Sequence, residues 1–114
     1  MNKWLGFILL ILSPFVVAKS PQLYGYGLKT CDHYRTTFLI AQQTPKIQNS
    51  DLMAYQNWLD GFISALNLAT GRAVLVNMEW SEVSKKLALQ CEDKRFPEFI
   101  DAVRSLIRLN SGSK

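Results

Sequence analysis

The side chains of this sequence that could do chemistry are few, and the most reactive lie in the stretch TCDHY at 30–34. Cys31 and His33, the only histidine, could in principle form an activated thiolate pair. Residues two apart on a helix point in different directions, which disfavours that pairing. If Cys31 is bonded to Cys91, the only other cysteine, a thiol nucleophile is excluded altogether.

Metal and hydrolytic sites are not indicated either. One histidine and two distant cysteines fall short of four zinc ligands at a recognisable spacing. The sequence contains no G-x-S-x-G elbow, phosphate-binding glycine loop or calcium loop. Asp51 and Asp60 are nine positions apart, too far for direct pairing of two carboxylates on one helix. We therefore expect a protein that is not an enzyme and that uses no cofactor or metal.

The first 18 residues have the layout of a secretory signal peptide. Lys3 precedes the apolar run 5–17, and small or moderate side chains at 16–18 suit cleavage after Ala18. The alternative is a membrane anchor, but the apolar stretch contains Pro14 and is shorter than the roughly 20 residues that a spanning helix needs. We therefore expect export, with no stable membrane insertion after cleavage.

Cleavage would leave 96 of the 114 residues, enough for one small domain. Both Cys31 and Cys91 survive it, and an even number of cysteines in an exported chain favours a disulfide. The alternative is a pair of buried free thiols. A bridge closing a loop of 60 positions would stabilise the fold by about 4 kcal/mol in the chain-entropy treatment.

The charges are mixed rather than clustered. The chain has 13 basic and 9 acidic residues, for a net charge of +4, and both signs interleave, as in EDKR at 92–95. No run of five or six like charges occurs, so nucleic-acid binding is not indicated. A mild positive balance favours anionic partners only weakly.

Apolar spacing predicts an all-α fold, a small four-helix bundle in a domain spanning 30–110. Residues 19–29 carry a proline and two glycines, which predicts an irregular lead-in. Thr30 is a suitable N-cap for the first helix, which should end near Thr44 because a proline follows.

The second helix should begin at Asn49 or Ser50, run to about Ala69 and end at Gly71. Gly61 lies near its middle, where glycine is unfavourable by roughly 1 kcal/mol relative to alanine. We interpret Gly61 as a point where a neighbouring helix approaches closely; the alternative is a contact with a ligand.

Residues 72–78 include the run AVLV, which could be a short strand but has no second strand to pair with. We interpret it as an apolar loop on the core. Asn77 could cap a third helix that ends at Cys91, and Pro97 suits the first turn of a fourth.

Aromatic side chains are numerous for so small a domain, and most should fill the core. We expect one four-helix domain to lack the volume for all of them, and surplus tryptophan and tyrosine favour partner binding. The candidates for a partner surface are Tyr55, Trp58, Trp80 and Phe96.

The segments TCDHY, YQNWLDGFISALN and QCEDKRFPEFIDAVRSLI together resemble the HdeA-like family of small exported helical proteins. The resemblance covers roughly residues 28–108. Its marker motif is W-x-x-G-F with a following asparagine, here Trp58, Gly61, Phe62 and Asn67. The other matching positions are Cys31, Cys91, Pro97, Asp101 and Ala102.

The resemblance implies a periplasmic, non-enzymatic acid-stress chaperone that is a homodimer at neutral pH and loosens in acid to bind unfolded proteins. It implies a retained Cys31–Cys91 bridge, and an apolar face of the second helix that serves as dimer seam and client surface. The alternative is a dedicated protein partner, such as the Tai-type immunity proteins of type VI secretion, or an accessory subunit of an envelope complex. The net positive charge of this chain departs from the better-understood chaperones.

Overall fold

The computed structural model describes residues 22–111, so the predicted signal peptide lies outside the described part of the chain. Four α-helices form this part, after a single 3-10 turn at Gly25–Leu28. No β-strand occurs between residues 22 and 111, and Cys31 is bonded to Cys91. The predicted all-α four-helix bundle with one disulfide is confirmed. The helices are α1 (Cys31–Gln43), α2 (Ser50–Thr70), α3 (Trp80–Gln90) and α4 (Phe99–Ser111).

The ends of α1 and α2 follow local capping chemistry, as predicted. The Thr30 hydroxyl accepts a hydrogen bond from the His33 N–H at 3.0 Å, and the Asn49 side chain accepts one from the Leu52 N–H at 2.8 Å. Gly71 ends α2 in the left-handed region, at φ +71°.

The start of α3 differs from the prediction. Asn77 is not the cap: Glu79 occupies that position, without a side-chain hydrogen bond to the helix. Asn77 instead has a φ of +64°, and Leu75 a φ of +55°, both uncommon for residues other than glycine. The loop 72–79 turns back on itself there, and this geometry presses Leu75 and Met78 against the core. The interpretation of this segment as an apolar loop on the core is confirmed.

Pro97 also lies outside its predicted position, because α4 begins two residues later at Phe99. The reason is a long-range pairing between chain segments. The Pro97 carbonyl accepts a hydrogen bond from the Cys31 N–H at 2.9 Å, and the Phe99 N–H donates to the Lys29 carbonyl at 2.8 Å. This bridge joins the beginnings of α1 and α4. The disulfide joins the same end of α1 to Cys91, directly after α3, with 5.0 Å between the two Cα atoms.

Three aromatic rings meet at the centre of the core. Tyr34 and Tyr55 pack edge to face with 4.8 Å between ring centroids, and each lies 4.7 Å from the ring of Phe99. All three side chains are fully buried. Both hydroxyls have partners: Tyr34 donates to the Ser84 carbonyl at 2.9 Å, and the Tyr55 hydroxyl lies 2.6 Å from Nδ1 of His33.

These two tyrosines predict a loss of stability in alkali. Burial raises the pKa of both hydroxyls well above the usual value, with a smaller contribution from nearby oxygen atoms. In the unfolded chain both would ionise near pH 10, so folding retains protons and the free energy of unfolding decreases as pH rises. At pH 11 each tyrosine should lower it by up to about 1.4 kcal/mol.

The measurement is urea unfolding between pH 8 and pH 11 for the wild type and for Tyr34→Phe, which retains the ring. We expect the variant to be less stable at pH 8 because it lacks one hydrogen bond, and to show a shallower alkaline decrease. An equally steep decrease of the free energy of unfolding in the two proteins would contradict the assignment of part of this decrease to Tyr34.

Candidate protein-binding surfaces

Of the four aromatics predicted to form a partner surface, Tyr55 is wrongly assigned. Its relative exposure is 0 % because α1 and α4 both cover it. It lies on the inner face of α2 rather than at the edge of the apolar stripe, with Leu59 also buried one turn later. This face of α2 is therefore occupied by the protein's own core.

Trp58 is half-buried, under the lead-in segment. Its indole N–H donates to the Tyr24 carbonyl at 2.8 Å, and its ring stacks on Phe62 with centroids 5.1 Å apart. A Cβ added at Gly27 would overlap the six-membered part of the indole, with Cε2 only 2.7 Å away. A Cβ added at Gly25 would lie 3.1 Å from Cδ1 of the same ring, and Gly25 has a φ of +86°. Gly25 and Gly27 of the lead-in, rather than Gly61, allow close packing, here of the lead-in against the Trp58 ring.

Gly61 itself is exposed, and a Cβ built on it would meet nothing within 4 Å. The interpretation that it admits a neighbouring helix is therefore wrong for the described part of the chain. Asn67, the remaining residue of the marker motif, makes a contact that the structure explains. Asn67 Oδ1 accepts a hydrogen bond from the Val74 N–H at 3.0 Å, which holds the 72–79 loop against α2.

Trp80 and Phe96 are both half-buried and pack against the core. Trp80 lines a cavity of about 270 Å³ beneath the 72–79 loop, together with Leu59, Ile63 and Leu75. The polar side chains on this lining are Asp60 and Ser64, and one carboxylate with one hydroxyl does not make a catalytic set.

Phe96 lies beside the disulfide, at a small cavity of about 140 Å³. In the same turn, Arg95 donates to the Asp93 carboxylate, with 2.7 Å between Nη2 and Oδ2. Hydrogen bonds from the side chain and the backbone of Arg95 lower the pKa of the Asp93 carboxyl to about 2. This turn is charged and lies at the surface, and the side chains of Arg95 and Asp93 pair with each other.

A first apolar groove lies between α1 and α3; we call it the α1–α3 groove. Its floor is Phe38, Leu39, Ala88 and Leu89, and its volume is about 260 Å³. Leu39 is 52 % exposed and Leu89 is 64 % exposed. The charged side chains at its edge are Arg35, Lys85 and Glu92.

A second apolar groove, the α2–α4 groove, has a volume of about 450 Å³. Its walls come from α2, from α4 and from the lead-in, because the 3-10 turn packs against both helices. The charged residues of its lining are two arginines on α4, Arg104 and Arg108. The apolar side chains are Leu23, Phe62, Leu66, Ile100 and Ile107.

The α1–α3 groove was not predicted, although the sequence contains a signal for it. Residues 38–41 read FLIA, four consecutive apolar residues. Such a run covers more of a helix circumference than one buried face can use, so part of it must be exposed. Leu39 and Ile40 are the exposed members. No comparable signal in the sequence indicated the α2–α4 groove, because this groove depends on where the lead-in packs.

The described residues contain no group of three or more side chains able to hold a metal ion. Within 22–111, no helix combines the length and the apolar character that crossing a bilayer requires. Comparison of the chain with protein-family models, curated proteins and solved structures finds no match.

Proposed function

We propose that this chain is a non-enzymatic periplasmic protein that binds unfolded proteins, as HdeA-like chaperones do, and that the α1–α3 groove is its client surface. One observation carries the proposal: large aliphatic side chains are exposed side by side on two adjacent helices. Leu39 is 52 % exposed and Leu89 is 64 % exposed.

The free energy of burying such a surface supports this assignment. Apolar area removed from water contributes roughly 25 cal/mol per Å², and contiguous exposed apolar patches on small proteins commonly mark binding sites. Basic side chains at the groove edge, Arg35 and Lys85, also keep the surface soluble when no client is bound.

The inner face of α2 is not the client surface of the folded protein in this proposal. Tyr55 and Leu59 are buried, so that face becomes available to a client or to a second copy only if the helices separate. The α1–α3 groove needs no such opening and can bind in the folded state.

Acid is the condition that would separate the helices. Protonating the nine carboxylates leaves about twelve positive side chains on the mature chain, and their repulsion disfavours the compact state. The pKa of Asp93, lowered to about 2, makes its pairing with Arg95 contribute stability above the unfolded value near 4. That contribution decreases as the pH falls from about 4 towards about 2, and it is small because both side chains lie at the surface.

The test is suppression of aggregation of an acid-denatured client by the oxidised mature protein at pH 2.5, with near-UV circular dichroism and light scattering at pH 7 and 2.5. We expect Leu39→Lys/Leu89→Lys to lose at least half of the suppression. The matched control is Leu68→Lys, on α2 and 87 % exposed outside both grooves, which should retain it.

Equal suppression by all three proteins would assign client binding to another surface. If the wild type suppresses no aggregation and keeps its circular dichroism spectrum in acid, the chaperone proposal is wrong. The second candidate, a dedicated partner, is favoured by the exposed Arg104 beside the apolar α2–α4 groove, because charge selectivity serves one partner better than many clients.

A further inference from the structure

Helix α2 is the longest of the four helices, yet it is the one with the fewest buried residues. Of its 21 residues, Tyr55 and Leu59 are the two that are buried. By contrast, six residues of the much shorter α4 are buried. Burial of an apolar face supplies most of the free energy that holds a helix in a protein. For its length, α2 is therefore docked by fewer apolar contacts than α4.

Two spaces separate α2 from its neighbours. The α2–α4 groove, of about 450 Å³, lies on the side of α4, and the cavity of about 270 Å³ beneath the 72–79 loop lies on the side of α3. The backbone of α2 packs closely on α1 and on the lead-in, but not on α3 or α4. Side chains make the contact with α4, where the rings of Tyr55 and Trp58 meet Phe99.

The other three helices are joined to one another by bonds that do not involve α2. The disulfide joins the beginning of α1 to the end of α3, and the pairing around Pro97 joins the beginnings of α1 and α4. The Tyr34 hydroxyl donates to the Ser84 carbonyl, between α1 and α3. The Ser105 hydroxyl donates to the Gln90 side chain at 2.8 Å, between α4 and α3. We call α1, α3 and α4 the three-helix unit.

Three hydrogen bonds join α2 to the rest of residues 22–111 outside its own two loops. The Tyr55 hydroxyl lies 2.6 Å from Nδ1 of His33, on α1. The other two go to the lead-in: the Tyr26 hydroxyl donates to the Asp51 carboxylate at 2.8 Å, and the Trp58 indole N–H donates to a backbone carbonyl. One of the three bonds therefore connects α2 to the three-helix unit, and the lead-in acts as a latch over the outer side.

The loops at the two ends of α2 have the properties of hinges. Within 22–111, residues 45–48 and 72–78 make no hydrogen bond to a residue more than seven positions away. In the second loop, Leu75 and Asn77 have φ values of +55° and +64°. This left-handed conformation is unfavourable for residues other than glycine and persists only where the surrounding structure imposes it. Release of the 72–79 loop therefore relieves backbone strain.

We infer that α2 is a lid, which undocks as one body from the folded three-helix unit by rotation about the loops 45–48 and 72–78. Undocking breaks the three hydrogen bonds of α2 and uncovers the rings of Tyr34 and Phe99 together with the inner face of α2. The disulfide and the bonds within the three-helix unit remain. The inference goes beyond client binding, and it requires neither acid nor a client.

Native-state hydrogen exchange of the oxidised mature protein at pH 7, followed by NMR, tests this inference. Amides in the middle of α2, at Leu59 and Ile63, should be at least about tenfold less protected than those in the middle of α4, at Val103 and Leu106. Low concentrations of urea should also change the exchange of the α2 amides less steeply, because undocking exposes less surface than global unfolding.

Tyr34→Phe and Tyr55→Phe are matched variants, because each retains its ring and loses one hydroxyl hydrogen bond. The Tyr34 bond lies inside the three-helix unit and persists when α2 undocks. Tyr34→Phe should therefore lower the protection of α1, α3 and α4 about fivefold and leave that of α2 unchanged. The Tyr55 bond breaks on undocking, so Tyr55→Phe should lower the protection of all four helices by about the same factor.

Protection of the α2 amides equal to or above that of the α4 amides in the wild type would overturn the inference. An equal loss of protection in α2 and α4 on Tyr34→Phe would also overturn it, because the four helices would then unfold as a single unit. Both readouts are taken without a client, so failure of the aggregation test leaves this inference standing, and failure of this inference leaves the α1–α3 groove as the client surface.

Discussion

Replacing both cysteines, in Cys31→Ala/Cys91→Ala, should lower the free energy of unfolding by about 4 kcal/mol at pH 7. The bridge closes a loop with a sequence separation of 60, and removing it restores conformational entropy to the unfolded chain. A domain of this size has a total stability of roughly 5–15 kcal/mol, so the variant should be close to unfolding at 37 °C. Urea unfolding with circular dichroism detection measures the change.

The wild type treated with a thiol reductant is the control, because it has the same open chain without a substitution. The reduced wild type and the double cysteine variant should unfold at the same urea concentration. That concentration should be lower than for the oxidised wild type. A difference below about 1 kcal/mol from the oxidised protein would mean that the hydrogen bonds joining the beginnings of α1 and α4 hold this end of the bundle without the bridge.

Replacing Gly27 with alanine should destabilise the protein by about 1–3 kcal/mol, the usual range for adding a methyl group where no space exists. The added Cβ would overlap the indole of Trp58, so the lead-in must move away from α2. That movement breaks the hydrogen bond between the indole N–H and the Tyr24 carbonyl. Chemical unfolding reports the loss of stability, and amide hydrogen exchange across 22–30 reports the displaced segment.

Gly61→Ala is the matched control, because it adds the same methyl group where nothing lies within 4 Å. In the interior of an exposed helix, alanine is favoured over glycine by about 1 kcal/mol, so this variant should be more stable than the wild type. Opposite signs for the two glycines are the expected result. Destabilisation by Gly61→Ala would instead indicate that another chain covers this face of α2 in solution.

The helices could be predicted because their limits depend on neighbours in sequence. Thr30, Asn49 and Gly71 act within three or four residues of themselves, by capping chemistry that needs no knowledge of the rest of the fold. The same reasoning failed at Pro97, whose carbonyl is paired with the Cys31 N–H, 66 residues earlier in the chain. Pro97 therefore lies in this pairing between distant segments, and α4 begins after it, at Phe99.

The candidate surfaces were less predictable from the sequence, because they too depend on contacts between segments that are far apart in the chain. Tyr55 and Trp58 lie three apart on α2, and helical periodicity alone does not distinguish the buried ring from the half-exposed one. Phe99 and Tyr34 cover Tyr55, whereas a short glycine-containing turn covers part of Trp58. The W-x-x-G-F pattern lies on α2, but its glycine, Gly61, lacks the helix contact that was predicted for it.

The sequence by itself determined the fold class, the caps of α1 and α2 and the two cysteines available to form the bridge, because each depends on composition or on short-range spacing. Only the tertiary structure decided which apolar residues remain exposed. Burial is set by contacts between segments far apart in the chain, as when the lead-in covers Trp58 on α2 and also forms a wall of the α2–α4 groove. The surfaces open to partners are what those contacts leave uncovered.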